Sequence, residues 1–161
     1  MDRFASVTIN NIDKKGRVSI PAPFRAVLGG EATLRGLMSV DHPVVEAGGN
    51  EMKQVLQRRL EQLDPFSEDY EVWSHYALGD VLDLKLDGEG RIQINDRIRE
   101  QTGIGEQVLF EGRGISFWLW EPGRYDAYRT EARAKVRELR KRLGSRSSSG
   151  APSGAGGGAD R

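Results

Sequence analysis

Cysteine is absent from this chain, which excludes disulfides and thiolate chemistry and suits a reducing compartment. Histidine is scarce: His42 and His75 are the only two, and they stand far apart in sequence. That gives little basis for a metal site or a nucleophile with its base. No apolar run approaches the length of a membrane span, and Met1-Asp2-Arg3 carries no signal-peptide pattern. The expectation is a soluble, cytoplasmic protein without a membrane partner. Aromatic residues make up 7% and hydrophobic residues 37% of 161, which is lean for one large core. Two half-sized units packed on each other suit that composition better.

Net charge is also missing, but its zero sum hides an uneven distribution. Residues 122–161 hold ten Lys and Arg against four Asp and Glu, whereas residues 78–121 hold five against nine. Bulk charge therefore gives no warrant for non-specific nucleic-acid binding, and any such binding must come from a local patch.

What the chain does have is a repeat. Asp13-Lys14-Lys15-Gly16-Arg17-Val18-Ser19-Ile20 returns 74 residues later as Asp87-Gly88-Glu89-Gly90-Arg91-Ile92-Gln93-Ile94. The same offset carries Phe24 onto Ile98 and Arg25 onto Arg99, and five positions in the two stretches are identical. The chain thus reads as two copies of one unit. Asp starts a turn by accepting a backbone hydrogen bond from two residues on, and Gly supplies positive φ. Asp87-Gly88 is also a dipeptide favoured in two-residue hairpin turns. Val7 and Ile9, Val18 and Ile20, Leu82, Leu84 and Leu86, and Ile92 and Ile94 each alternate as in strands. Each copy is expected to be a β-hairpin with an arginine beside its tip, the first covering residues 4–20.

The remaining elements follow in order. Pro21-Ala22-Pro23 ends strand pairing, and Phe24, Val27 and Leu28 mark a short helix that Gly29-Gly30 stops. Residues 32–46 should return as strand, interrupted by Gly36 and Pro43. After the boundary at 47–50, with Asn50 as candidate N-cap, Met52, Val55, Leu56, Leu60 and Leu63 line one face of a helix. A second helical segment covers roughly 67–77, and Gly79 closes it. In the second copy Asn95 can cap a short helix ended by Gly103, and strands flank the turn Gly112-Arg113-Gly114. Trp118 and Trp120 share a face that should be covered by a helix or another subunit. From Pro122 a last helix carries Tyr125, Tyr128, Ala132, Val136, Leu139 and Leu143 on one stripe, among many arginines and lysines. That basic face is either solvated or a DNA contact, and the stripe packs on the β core or on a neighbour. The tail beyond 143 is of low complexity and expected to be disordered. The division is 1–47, a helical linker 48–79, a second unit 80–121, a helix 122–143 and a tail 144–161.

No catalytic constellation emerges, so the chain is not expected to be an enzyme or to need a cofactor or metal. Gly88-Glu89-Gly90 sits at a hairpin tip and not before a helix, and it has no Walker-type lysine. The repeated arginines carry two readings. Arg17 pairs with Asp13, and Arg91 with Asp87, merely to stiffen the turns. Alternatively the tips receive an anion, the first with Lys14, Lys15 and Arg17 together and Arg3 and Arg25 in support. Glu89 replaces Lys15 in the second tip, so its field is weaker.

A tip of Asp13-x-x-Gly16-Arg17, followed by Val18-Ser19-Ile20-Pro21 and Phe24-Arg25 and duplicated at 87–99, resembles the MraZ family over residues 1 to about 143. The resemblance implies an α+β fold: tandem AbrB-like units whose hairpins interleave into an internal pseudo-dimer, with connecting helices and a C-terminal helix. It further implies a bacterial transcription factor, mainly a repressor of its own division and cell-wall gene cluster, cytoplasmic and nucleoid-associated. Such a protein would assemble as a ring-shaped homo-oligomer on repeated promoter elements of double-stranded DNA. Carried over by position, Arg17 and Arg91 would contact DNA, Asp13 and Asp87 would orient them, and Lys14, Lys15 and Arg3 would add charge. The first tip would dominate affinity and the second would tune register. An AbrB-scaffold protein-interaction or antitoxin-like module is the other reading. The sequence departs from the family pattern at Asn95, where proline is usual, in a linker (65–77) without arginine, and in its tail.

Overall fold

The computed structural model describes residues 3–150. They divide into two compact units, one up to Arg124 and one from Tyr125. In the first, strands and short helices alternate: β1 (Val7–Asn11), β2 (Arg17–Ser19), α1 (Ala22–Leu28), β3 (Thr33–Met38), β4 (Val45–Gly48) and α2 (Asn50–Glu61). Next come α3 (Glu68–Ser74), which runs into a π-helical turn over His75–Gly79, then β5 (Val81–Lys85) and β6 (Arg91–Gln93). Helix α4 (Asp96–Thr102), β7 (Gln107–Gly112) and β8 (Phe117–Trp120) complete the unit, and α5 (Pro122–Gly150) begins in it.

Strand pairing differs from the two self-contained hairpins expected of the residues. Both tips do turn: Asp13 N donates to Arg17 O at 2.8 Å, and Asp87 N to Arg91 O at 3.0 Å. The flanking strands then part company. β1 pairs with β7 and β2 with β6, while β5 pairs with β3. The result is a six-stranded antiparallel sheet in the order β1-β7-β8-β4-β3-β5 beside a two-stranded β2-β6 ribbon. Exchange places Val18 opposite Ile92, each 1% exposed, at the middle of the ribbon. Burying that apolar pair gives the swapped pairing a driving force that a solvated hairpin lacks.

The order reads as a palindrome under the repeat. Asn11 opposite Gln107 in one half corresponds to Lys85 opposite Thr33 in the other, and Val7–Glu111 to Val81–Leu37. A pseudo-two-fold axis therefore passes through Val18–Ile92 and through Glu46–Trp118. This is the interleaved α+β architecture that the resemblance implies. The halves differ at one connection, where the turn between β3 and β4 (39–44) is longer than that between β7 and β8 (113–116).

The core fills the space between ribbon, helices and sheet. Phe24 of α1 meets Phe4, Phe117 and Phe110 at ring distances of 5.3, 5.1 and 6.5 Å, within the range of favourable aromatic pairs. Ile98 of α4 occupies the equivalent place in the second copy and is fully buried. Gly36, which interrupts the apolar pattern of β3, lies where a Cβ would press on Val45 and Leu84, so its absence of side chain lets strands and core close up. On the edge strand β1 the alternating Val7 and Ile9 face outward and are 42% and 48% exposed.

Helix ends follow local chemistry in two cases and not in a third. Asn95 Oδ1 accepts from Ile98 N at 3.0 Å, and Ser67 Oγ from Tyr70 N at 3.1 Å, each satisfying an orphan donor. Asn50, expected as a cap, is instead the first residue of α2. Its N–H donates to Glu31 Oε1 at 2.8 Å, a carboxylate brought from the end of α1. Gly49 has no Cβ, and one would collide with that carboxylate.

Trp120 is 1% exposed and donates from Nε1 to Glu111 Oε1 at 2.9 Å. On its neighbour Trp118, the His42 ring lies 5.3 Å away and the Arg113 guanidinium stacks at 3.8 Å. His42 is thus a packing residue of the β3–β4 turn, and His75 is exposed in the π turn. In the second unit α5 continues past Leu143 through Gly150, into the segment expected to be disordered. The rest of the low-complexity tail lies outside the described residues. Along α5, Val136, Leu139 and Leu143 are 42–51% exposed.

Candidate functional site

Each tip is built around one carboxylate that organises its own turn. Asp13 Oδ1 accepts from the backbone N–H of Lys15 and of Arg17, both at 2.9 Å, and Oδ2 accepts from Arg17 Nε at 2.9 Å. The second tip repeats this: Asp87 Oδ1 takes Glu89 N at 2.9 Å and Arg91 N at 3.0 Å, and Oδ2 takes Arg91 Nε at 2.8 Å. The backbone N–H of Arg17, foremost among several bonds, holds the Asp13 carboxyl below the usual carboxylate range; Arg91 N does the same for Asp87. Bonds to the charged form favour that form.

The turns close through Gly16 and Gly90, at φ 81° and 76°, a region L-residues resist. Gly88, expected to take that role in a two-residue turn, keeps negative φ; Lys14 holds the matching place in the first copy. A Cβ at Gly16 would lie 2.6 Å from Gln93 Nε2, and one at Gly90 would collide with the Arg25 side chain.

Those two neighbours belong to the opposite copy, and sequence reasoning did not assign Gln93 a role. Gln93 Nε2 donates to Lys15 O at 2.8 Å, tying the β6 strand to the first tip. Arg25 Nη1 donates to Ile20 O at 2.5 Å beside the second tip. The backbone joins them as well, with Ile94 N on Gly16 O at 2.8 Å and Ile20 N on Gly90 O at 3.0 Å. The tips therefore stand side by side, and Arg91 Nη1 comes within 3.9 Å of Asp13 Oδ2. The signal for Gln93 was its place in the repeat, two residues past Arg91.

Around this pair the expected residues distribute unevenly. Lys14 and Lys15 are exposed on the first tip, and Arg17 and Arg91 are partly covered, their side chains 29% and 23% exposed. Arg91 also donates from Nη2 to Glu89 Oε2 at 3.0 Å. Asp87, then Glu89 and Asp13, hold its proton more tightly than usual. Arg3 is placed elsewhere: it pairs with Glu51 in the first turn of α2 at 2.5 Å and lies beyond the Val7 end of β1, whereas Asp13 follows the Asn11 end. A five-residue strand separates the two by about 17 Å.

A groove of about 520 Å³ lies between α2, the π turn and the sheet, and its lining includes Val40, Asp41, Glu46, Val72, Trp73 and Tyr76. Burial, then Glu46 and Asp41, raises the Tyr76 hydroxyl above its usual range, so it stays a neutral hydrogen-bonding group. Among the described residues no cluster of three or more His, Asp or Glu could hold a metal ion, and no helix is long and apolar enough to cross a membrane.

Comparison with known proteins gives a consistent picture. Residues 78–146 match the family model described as "MraZ protein, putative antitoxin-like". The chain is similar to the protein named Transcriptional regulator MraZ of Beijerinckia indica subsp. indica, at 43% identity over 149 residues, 91% of this chain and 90% of that one. The protein of the same name from Methylocella silvestris is 40% identical over 148 residues, 91% of this chain and 90% of its own. That of Parvibaculum lavamentivorans is 37% identical over 161 residues, covering 98% of this chain and 99% of its own.

Proposed function

This chain belongs to the MraZ family, and from that premise we propose that it is a transcriptional regulator, not an enzyme, that grips DNA with its paired tips. In this reading it represses its own division and cell-wall gene cluster by binding repeated promoter elements. It works in the cytoplasm, associated with the nucleoid, as a ring-shaped homo-oligomer.

The observation that carries the reading is the side-by-side placement of two arginines, each held at Nε by its own aspartate. Such clamping fixes a guanidinium before a ligand arrives and spares the binding step its ordering cost. Arg17 is the main contact, Arg91 the second, and Asp13 and Asp87 the orienting groups. Lys14 and Lys15 add phosphate contacts, and Arg3, already neutralised by Glu51, is at most peripheral. One arginine contact contributes on the order of 1–3 kcal/mol. Copies of the tip pair arrayed on repeated elements would gain by effective concentration, so a chain of zero net charge can still hold DNA.

The test is a gel-shift titration against the DNA upstream of the protein's own gene. Arg17→Ala and Arg91→Ala should each weaken binding by about tenfold or more while the oligomer mass stays unchanged, and undiminished binding by both variants would sink the reading. Recovery of a stoichiometric protein partner, with no DNA affinity at low salt, would favour the protein-interaction or antitoxin-like alternative.

A further inference from the structure

The two tips coincide in the three bonds each aspartate makes within its own turn but differ at two positions, Gly88 against Lys14 and Glu89 against Lys15. The consequence falls on the arginines. Arg17 meets Asp13 through Nε, and among the described residues its terminal nitrogens have no hydrogen-bond partner. Arg91 has both terminal nitrogens beside carboxylates: Nη2 at 3.0 Å from Glu89 Oε2 and Nη1 at 3.9 Å from Asp13 Oδ2. Glu89 is 75% exposed, so its carboxylate lies on the solvent side of Arg91, from which a ligand would approach.

We propose that Glu89 is a specificity-determining residue that occupies the outer edge of Arg91 and must be displaced before that arginine can touch DNA. The proposal rests on the DNA-binding reading above. An exposed ion pair is weak and screened by salt, so Glu89 is a removable competitor. What removes it depends on the ligand. A guanine edge offers two acceptors, O6 and N7, in the plane of the guanidinium and replaces the carboxylate fully. A passing backbone phosphate must displace the carboxylate and also bear the repulsion of a free Glu89. The residue therefore penalises contacts at arbitrary sequence more than contacts at the proper element. Lys15 imposes no such penalty on the first tip, so general affinity and discrimination are divided between the two copies.

The experiment compares wild type, Glu89→Gln, Arg91→Ala and the double variant by fluorescence anisotropy on the upstream repeats and on a scrambled duplex, at two salt concentrations. Glu61→Gln on α2, exposed and outside the tips, controls for the loss of one negative charge. Glu89→Gln should tighten binding to the scrambled duplex about two- to fivefold, the range of an exposed ion pair. Its effect on the repeats should be smaller, and its salt slope on the scrambled duplex steeper by about one phosphate. In the Arg91→Ala background the same substitution should change nothing beyond the Glu61→Gln control. Three outcomes would overturn the proposal: equal gains on both duplexes, a gain no larger than the control's, or a gain that persists without Arg91. If wild type binds neither duplex, the DNA-binding reading fails and this inference goes with it.

Discussion

Asp13 and Asp87 each use one carboxylate three times, for two backbone donors and one arginine, all within four residues of chain. That closeness is why the Asp–Arg pairs were legible: a local turn motif brings its own partners. Gln93 was not, because its bond to Lys15 O depends on which strand β6 adopts as neighbour. Both carboxyls have folded pKa values below the ordinary 3.8. A depressed folded pKa contributes stability above the unfolded value, and that contribution is lost as pH falls through the folded value. Asp13→Asn and Asp87→Asn should therefore lower Tm at pH 7, with the gap to wild type closing as the pH falls below 3.8. Thermal melts followed by circular dichroism from pH 7 to pH 2 check this; a gap of constant size would show that the carboxylate charge is irrelevant to the turns.

At the scale of elements, helices were legible wherever their caps are neighbours in sequence. Asn95 caps α4 and Ser67 caps α3 as local rules require. Helix α2 breaks the pattern because its first turn is served by Glu31, nineteen positions before Asn50. The two situations make opposite predictions for asparagine. Asn95→Ala should cost about 1 kcal/mol of stability, whereas Asn50→Ala should be nearly silent and Glu31→Ala should carry the cost at α2 instead. Urea unfolding curves with unchanged slope would measure all three. The apolar periodicities located most strands, but Val7 and Ile9 alternate as a buried face would and are nonetheless exposed on β1. Alternation fixes which residues share a face and leaves open which face the rest of the fold covers.

For the whole molecule, repetition in the sequence gave two copies but could not assign strands to partners, since swapped and unswapped pairing satisfy the same backbone groups. The exchange is extensive: β1, β2 and β4 of the first copy find β7, β6 and β8 of the second. A fragment of residues 1–79 should accordingly be unfolded or self-associated, and co-expression with 80–150 should restore a folded complex. Circular dichroism with analytical ultracentrifugation distinguishes these states, and a folded monomeric fragment would contradict the exchange. The pairing of Val7 with Glu111 also sets a clock. Strand β1 leaves the ribosome well before β7 and must wait for it to find its neighbour, and at 5–20 residues per second that delay is on the order of 5–20 s. Throughout that interval the nascent chain carries the apolar Val18 and Phe24 without the second-copy residues Ile92, Phe110 and Phe117 that cover them, which makes the period of synthesis a time of exposure to aggregation and to chaperones.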